Sequence, residues 1–201
     1  MKKVYFILSQ SGGGKDTQAG KLIELLQKQG IKYLYLSIGD CVRGTVSRLG
    51  TDNFFAKKMK LINDQGKLQP GVIPIHFFLS QFIHQYTGEE VVIINGSPRS
   101  ELEINLWASL VSAGYLPEAR IIHLDVDDEE CCRRLDGREG RSDTENPEAR
   151  KIKMAWYEPI RRMLAGSLPD GVGLVTIDGM GSSDEVFVAL SDYFREEGIV
   201  L

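Results

Sequence analysis

Five short apolar runs alternate with longer amphipathic segments along this chain, and that alternation limits the folds open to it. The runs predict strands at 3–8, 32–37, 91–95, 120–126 and 173–177. The third run begins Val-Val-Ile-Ile, which is typical of a strand covered on both faces. The segments between the runs predict helices at 15–29, 40–48, 53–64, 71–87, 100–114, 128–136, 147–165 and 183–197. This pattern predicts an α/β fold with a five-stranded, mostly parallel sheet and helices on both faces.

The composition narrows the class of protein further. Of 201 residues, 42% are hydrophobic and 26% charged, and the formal net charge is −4, so an ordinary globular protein without a basic nucleic-acid-binding stripe is expected. The first apolar run stops at Ser9, which predicts a buried strand and not a leader peptide. No apolar run approaches the roughly 18 residues of a membrane span. Cys41, Cys131 and Cys132 make no disulfide framework, so we expect a cytoplasmic protein.

A glycine-rich loop, Ser-Gln-Ser-Gly-Gly-Gly-Lys-Asp-Thr-Gln, follows the first predicted strand directly at 9–18. Its small residues would let backbone N–H groups approach phosphate oxygens at the positive end of the next helix, and Lys15 would reach the outer phosphates. The strict pattern G-x-x-x-x-G-K-[ST] fails at Ser9 and at Asp16. The loop alone therefore favours phosphate binding but leaves open a plain strand-to-helix turn with a solvated lysine.

Five further motifs follow the loop along the chain. They are SIGDCVRG (37–44), GKLQPGVIPI (66–75), IINGSPRS (93–100), RIIHLDVDDEECCRRLDGREGRSDTENPEA (120–149) and IDGMGSSDEVF (177–187). In this order and spacing, and over nearly the full chain, the set resembles the adenylate kinase family of nucleoside monophosphate kinases. The resemblance implies a P-loop NTPase three-layer fold. It also implies transfer of the γ-phosphoryl group of ATP to a nucleoside monophosphate, with Mg²⁺ as the cofactor.

The resemblance also implies roles for individual residues. The donor nucleotide would be bound by Gly12, Gly13, Gly14, Lys15, Asp16, Thr17 and Gly181. The acceptor would be bound by Gly39, Asp40, Arg43, Arg99 and Glu103. Catalysis would fall to Lys15, Arg99, Arg138 and Arg141, with Asp143 steadying the last two. Arginines suit this chemistry because phosphoryl transfer depends on positioning and charge neutralisation, and guanidinium groups bind phosphate bidentately. The alternative is that the four arginines are ordinary surface charges.

Two segments depart from simple strand–helix alternation. Residues 38–70 hold two short predicted helices, and residues 135–146 are polar and contain Arg138 and Arg141. The resemblance implies one domain over 1–201, with an acceptor-binding insertion at about 38–70 and a short lid at about 135–146. We expect a monomer whose ligands are ATP and a nucleoside monophosphate. The resemblance also implies a cis bond between Ser97 and Pro98.

Two departures from the family pattern concern the acceptor. Ile38 stands where relatives usually have threonine. Glu103 stands where adenylate kinases have a glutamine that recognises the base. A carboxylate only accepts hydrogen bonds, so it suits a base edge with two donors, such as that of guanine, and it would repel N1 of adenine. The alternative is that Glu103 faces solvent.

Three further departures concern the phosphates and the metal. Asn95 replaces the aspartate that in relatives binds the water shell of magnesium, and Lys153 stands at the position of a family arginine. Asp16 is interpreted as a relocated magnesium partner that compensates for Asn95, or else as a favourable acid in the first turn of a helix. The departures at Ser9, Asp16, Asn95 and Lys153 leave one alternative open, and those at Ile38 and Glu103 leave a second. The first is a nucleotide-binding pseudo-kinase or sensor with little turnover, and the second is a P-loop kinase of a non-nucleotide small molecule.

Overall fold

The computed structural model describes residues 4–137 and 146–200. Its strands are β1 (Val4–Leu8), β2 (Tyr33–Ser37), β3 (Val91–Asn95), β4 (Ala119–Asp125) and β5 (Val172–Asp178). All neighbouring strands are parallel, and they form one sheet in the order β2-β3-β1-β4-β5. The predicted five-stranded parallel sheet is confirmed.

The helices of the described residues surround this sheet. They are α1 (Lys15–Lys28), α2 (Ile38–Leu49), α3 (Phe54–Asp64), α4 (Val72–Gln85), α5 (Glu101–Ser112), α6 (Asp128–Asp136), α7 (Pro147–Ala155), α8 (Tyr157–Ala165) and α9 (Ser183–Glu196). Short polar side chains cap six of the N-termini by accepting backbone N–H bonds: Ser37, Asn53, Ser100, Asp127, Asn146 and Ser182. These residue types are preferred caps because they satisfy N–H groups that have no partner within the helix. None of the helices in the described ranges is long and apolar enough to cross a membrane.

The prediction of one continuous helix over 147–165 was wrong. The chain forms α7 and α8 instead, with a break at Trp156. Pro159 explains the break, because it has no N–H to donate to the carbonyl of Ala155 and its ring would collide with that carbonyl. In the first turn of α8 a proline needs no such donor. The break turns the chain so that Trp156 lines the cleft described below.

The sheet separates two apolar layers. On one face, Phe6 and Ile121 pack with Phe78, Trp107 and Tyr157 from α4, α5 and α8. On the other face, strand residues such as Tyr5 and Ile93 pack with apolar side chains of α1 and α9. Every residue of β3 is buried, which confirms that the Val-Val-Ile-Ile strand is covered on both faces.

The strand order also determines where a ligand can bind. The chain passes from central β1 outward to β2, returns to β3 beside β1, and then continues on the opposite side with β4 and β5. In open parallel sheets the crevice at such a reversal point lies at the carboxyl ends of the strands. Ser9, Ser37 and Asn95 lie at the carboxyl ends of β1, β2 and β3, and each of them lines the same cleft.

Candidate active site

The glycine-rich loop joins β1 to α1, and two of its glycines adopt backbone angles that other residues disfavour. Gly12 and Gly14 have φ angles of 92° and 88°, a region that side chains disfavour. A Cβ atom on Gly12 would also lie 2.3 Å from the carbonyl oxygen of Cys131 in α6. Both the backbone angle and the close contact therefore require glycine at position 12.

Ser9 occupies the position where a phosphate loop ordinarily opens with glycine. It is buried, its Oγ donates to the carbonyl oxygen of Gln10 at 3.0 Å, and no non-glycine residue in the described ranges has a positive φ. A Cβ atom on Gly13 would lie 2.5 Å from this Oγ. The serine side chain thus fills the space beneath Gly13 without straining the backbone.

Gln10 connects the loop to the helices α7 and α8. Its Oε1 accepts a hydrogen bond of 2.5 Å from Arg161, and its Nε2 lies 3.2 Å from Sδ of Met154. Arg161 also donates to the carbonyl oxygen of Val126 and to Asp128. The sequence analysis missed this anchor, because nothing local in the sequence links residues so far apart.

Asp16 and Asn95, the two positions linked by the compensation hypothesis, are in contact. Nδ2 of Asn95 donates to Oδ1 of Asp16 at 2.9 Å and to the hydroxyl of Tyr35 at 3.2 Å. The same Asp16 oxygen lies 3.1 Å from Nζ of Lys15. Burial raises the pKa of Tyr35, the hydrogen bond from Asn95 lowers it, and the charge of Asp16 raises it further, with a net upward shift. The start of α1 and the end of β3 therefore share one polar cluster.

The residues of this cluster fit a magnesium ion that is held jointly with phosphate oxygens. Magnesium in kinase sites is bound through one or two carboxylates plus substrate phosphates, and it keeps several waters. The side chain of Asp16 is 36% exposed and lines the cleft, and the buried Oδ1 of Asn95 has no hydrogen-bond partner among the described residues. Within 4–137 and 146–200, no group of three or more His, Cys, Asp or Glu side chains could hold a metal ion by itself. The fit is therefore to a shared site and not to a protein-only cage.

Arg43 lies on α2 and pairs with Asp40 one turn earlier. A Cβ atom on Gly39 would lie 3.1 Å from an Arg43 nitrogen, so the guanidinium lies across the glycine backbone. Burial raises the pKa of Asp40, but its hydrogen bonds with Ser37 and Arg43 outweigh burial and bring the pKa below its usual value. Asp40 is therefore an ionised partner that orients Arg43.

Arg99 follows the cis Ser97–Pro98 bond, which confirms that expectation. Its guanidinium carbon lies 5.4 Å from the ring centroid of Trp156, within range of a cation–π contact. Gly96 has φ 81°, and a Cβ atom there would lie 2.6 Å from an Arg99 nitrogen. Burial lowers the pKa of Arg99, while the charges of Glu103 and Asp16 raise it. The tryptophan and the glycine together position this guanidinium at the cleft.

Glu103 does not face solvent, so that alternative was wrong. The residue is 4% exposed. Its Oε2 accepts a hydrogen bond of 2.6 Å from Ser97 and one of 3.2 Å from the backbone N–H of Arg99. Burial raises the pKa of Glu103, and the Ser97 hydrogen bond and the charge of Arg99 oppose that shift. The role of Ser97 was missed, because the contact depends on the turn through the cis bond.

One cleft of about 550 Å³ collects most of these groups. Its lining includes the following predicted or divergent site residues: Lys15, Asp16, Ile38, Gly39, Arg43, Asn95, Arg99, Glu103 and Lys153. Asp40 acts beside the cleft through Arg43, while Gly12, Gly13, Gly14 and Thr17 belong to the loop and to the first turn of α1. Arg138, Arg141 and Asp143 lie outside the described residues.

Arg134, which the sequence analysis missed, lies between the turn that contains Gly181 and the glycine-rich loop. Arg134 of α6 donates to the carbonyl oxygens of Gly179, Met180 and Gly181 at 2.9, 3.3 and 3.1 Å. Its other terminal nitrogen would lie 3.8 Å from a Cβ atom on Gly14. The 179–181 turn therefore lies next to the end of the glycine-rich loop.

Fold and site together define the class of protein. A glycine-rich loop follows the central strand of a parallel β2-β3-β1-β4-β5 sheet, and the next helix begins at a lysine. The loop borders a cleft that is also lined by cationic side chains from other elements. This is the arrangement of a P-loop NTPase α/β fold.

Comparison with known proteins narrows the class. Residues 8–151 match a family model described as AAA domain. The chain is 30% identical over 183 residues to an adenylate kinase of Phenylobacterium zucineum, covering 88% of this chain and 90% of that protein. It is 28% identical over 202 residues to a UMP-CMP kinase of Xenopus tropicalis, covering 97% and 98% of the two chains.

A third relative is an adenylate kinase of Rhizobium etli, 36% identical over 132 residues. That match covers 66% of this chain but only 57% of the relative, so the chain spans little more than half of that protein's length. The chain belongs to the adenylate kinase-like family of nucleoside monophosphate kinases. This confirms the resemblance found in the sequence.

Proposed function

We propose that the chain is an ATP-dependent nucleoside monophosphate kinase that transfers the γ-phosphoryl group of ATP to a nucleoside monophosphate. The observation that carries the proposal is the single cleft that holds Lys15 of the phosphate loop together with Arg43 and Arg99. Phosphoryl transfer brings two polyanions together, so it requires fixed positive charge on both sides of the reacting group. A protein that bound only one nucleotide would have no need of the second set of cations.

On the donor side, the backbone N–H groups of Gly12, Gly13 and Gly14 and the N-terminus of α1 bind the phosphates of ATP, with Thr17 in the first turn. Lys15 contacts the outer phosphates. The 179–181 turn, to which Arg134 donates hydrogen bonds and which lies next to the loop, borders the donor base. The positive φ angles of Gly12 and Gly14 and the lack of space for a side chain at Gly12 support this assignment, because they let the backbone of the loop turn its amides toward a ligand.

On the acceptor side, Arg43 and Arg99 bind the monophosphate. Each guanidinium lies over a glycine, and Asp40 and Trp156 orient them, so little side-chain entropy is lost on binding. Residues 38–70, which contain α2 and α3, serve as the acceptor-binding insertion of a single domain. Residues 135–146 serve as the lid, with Arg138 and Arg141 as its catalytic arginines.

Asp16 and Asn95 would hold magnesium together with the phosphates of the bound nucleotide. A bound magnesium ion supplies positive charge that neutralises the phosphate oxygens. Asp16 provides the carboxylate, and Asn95 holds that carboxylate by a hydrogen bond from β3. The carboxylate thus lies in the first turn of α1, and the amide that donates a hydrogen bond to it lies at the end of β3.

One observation favours the alternative of a nucleotide-binding pseudo-kinase. Lys15 already pairs with Asp16 at 3.1 Å, which offsets part of the positive charge offered to ATP. Without a metal, a carboxylate about 4 Å from a phosphate oxygen repels it by about 4 kcal/mol at an effective dielectric of about 20. A chain in which this repulsion dominated would bind nucleotides weakly and turn over little.

A coupled assay of ADP formation across AMP, GMP, CMP, UMP and their deoxy forms tests the proposal. We expect Mg²⁺-dependent turnover of at least one acceptor. Arg99→Ala should lower that activity by orders of magnitude while leaving ATP binding nearly intact. Arg162→Ala is the matched control, because Arg162 is 78% exposed on α8 and pairs with Glu158.

Three other outcomes would count against the proposal. ATP binding without turnover of any monophosphate favours the pseudo-kinase. ATP hydrolysis coupled only to a non-nucleotide acceptor favours a small-molecule kinase. Unfolding of the Arg99→Ala chain would mean that Arg99 is structural.

A further inference from the structure

The carboxylate of Glu103 is buried in the cleft, and its hydrogen bonding is incomplete. The residue is 4% exposed, and its Oε2 accepts from both Ser97 and the Arg99 amide. Oε1 accepts no hydrogen bond from a described residue, and Glu103 lines the cleft. An ionised carboxylate can accept about four hydrogen bonds, so Oε1 can still accept hydrogen bonds from a ligand in the cleft.

Burying such a group is costly unless a partner satisfies it. No salt bridge joins Glu103 to a cation within the described residues, although Arg99 is near enough to affect its pKa. The phosphates cannot be the missing partner, because they would repel a carboxylate. The ligand group that fits Oε1 is therefore one that donates hydrogen bonds.

The other residues that line the cleft with Glu103 indicate what shape of ligand fits. The same cleft is lined by the apolar side chains of Ile38, Val42, Leu68 and Pro74. Ile38 and Val42 are almost fully buried, so the wall that they form is fixed in position. A flat aromatic ring that is apolar on its faces and polar at its edge suits a cleft that is lined by both an apolar wall and a carboxylate.

We infer that Glu103 recognises the acceptor base and selects guanine; this rests on the proposed kinase function. Guanine presents two adjacent donors on one edge, the ring N1–H and the 2-amino group, and a carboxylate can accept both. Adenine and cytosine place a ring-nitrogen acceptor beside their amino group, so a carboxylate would meet a lone pair. Uracil and thymine offer one N–H between two carbonyl oxygens. Guanine is the common base that matches.

Ser97 is a positioning residue in this scheme. Its hydroxyl donates to Oε2 at 2.6 Å, and the Arg99 amide donates to the same oxygen, which fixes the rotation of the carboxylate. Arg99 thus supports the base-recognising carboxylate with its backbone and faces the proposed phosphate site with its side chain. The short segment from Ser97 to Glu103 therefore sets the distance between the base and the phosphate of the bound acceptor.

Binding and turnover of GMP, IMP, AMP and CMP by the full chain test the inference. IMP differs from GMP only in lacking the 2-amino group, so the pair isolates one donor. We expect GMP to bind about tenfold to a hundredfold more tightly than IMP, because that donor would bond to a charged acceptor. AMP and CMP should be weaker still, because each brings an acceptor to the carboxylate.

Two variants locate the effect on Glu103. Glu103→Gln should abolish the preference for GMP over IMP and shift selectivity toward AMP, because an amide both donates and accepts. Glu101→Gln is the matched control, since Glu101 is exposed two residues earlier on α5. Ser97→Ala should raise the KM for GMP several-fold more than that for AMP with little change in kcat, as expected when the carboxylate is less well positioned.

The outcomes separate this inference from the kinase proposal. Equal binding of GMP and IMP by the unmutated chain would overturn the guanine assignment, and so would a base preference that Glu103→Gln leaves unchanged. Turnover of another monophosphate would then leave the kinase proposal standing. Failure of GMP to bind or react would overturn the guanine assignment, and the kinase proposal would fall only if AMP, CMP, UMP and the deoxy forms also failed. The comparison of GMP with IMP needs no variant, so poor folding of Glu103→Gln would leave it intact.

Discussion

Exchanging the carboxylate between Asp16 and Asn95 tests whether these two residues form one magnesium-binding unit. Nδ2 of Asn95 lies 2.9 Å from Oδ1 of Asp16. Asn95→Asp therefore places a second carboxylate beside the first, Asp16→Asn removes the first, and the double variant moves the charge from α1 to β3. All three changes keep the side-chain shape nearly constant.

The distance sets the size of the effect for Asn95→Asp. Two like charges 2.9 Å apart repel by about 6 kcal/mol at an effective dielectric of about 20. Asp16 is 36% exposed and can turn toward water, so solvent will reduce this toward the roughly 1 kcal/mol scale of exposed pairs. The unfolding free energy should fall by an amount between these limits. The lower limit of about 1 kcal/mol corresponds to a fall in Tm of about 2–4 °C for a chain of this size.

Urea unfolding and Mg²⁺ titration of activity should be measured for the four proteins. Asn95→Asp alone should be destabilised in the absence of Mg²⁺. Asp16→Asn alone should need a higher Mg²⁺ concentration for half-maximal activity, because it lacks the carboxylate. The double variant should recover both properties. Glu24→Gln, an exposed charge change on α1, should alter neither.

Two results would refute this reasoning. If the stability effects of the single changes add within about 0.5 kcal/mol in the double variant, the two side chains do not interact. If Asp16→Asn alone raises both ATP affinity and turnover, the acid only repels phosphate and compensates for nothing.

Two further predictions concern the loop and the acceptor base. Gly12→Ala should abolish the rise in Tm caused by ATP and destabilise the chain by about 1–3 kcal/mol, because it forces a disfavoured φ and a 2.3 Å contact with Cys131. Gly20→Ala is the control, since Gly20 faces open space on α1 and the change should be neutral or stabilising. A normal ATP effect in Gly12→Ala would contradict this account of the loop. The ratio of GMP to AMP binding should fall as pH is lowered, starting above the ordinary glutamate pKa of 4.5, because burial raises the pKa of Glu103 and only its ionised form accepts both guanine donors. AMP is the reference because its phosphate titrates similarly, and a ratio constant over this pH range would show that the carboxylate does not contact the base.

Much of the fold follows from local patterns in the sequence. All five strands formed with bounds within one residue of those predicted, because short apolar runs between helical segments are buried when they pair as strands of a sheet covered by helices. The phosphate loop was recognisable because its glycines, lysine and following helix are contiguous. The split of the predicted helix at 147–165 was also encoded locally, in Pro159, but the apolar periodicity that continued past it concealed the break.

The tertiary structure decided the contacts that give the site its individual character. Asp16 and Asn95 are 79 positions apart, and they meet only because β3 pairs beside β1 in a register that brings the end of one strand to the helix that follows the other. Burial of Glu103 against Ser97 depends on the turn through a cis bond, which changes the residue from a surface acid into a constrained carboxylate. Periodicity and turn chemistry act between neighbours in sequence, so they determine which elements form. The burial and partners of a polar side chain depend on strand register and helix orientation, which arise only when those elements pack together.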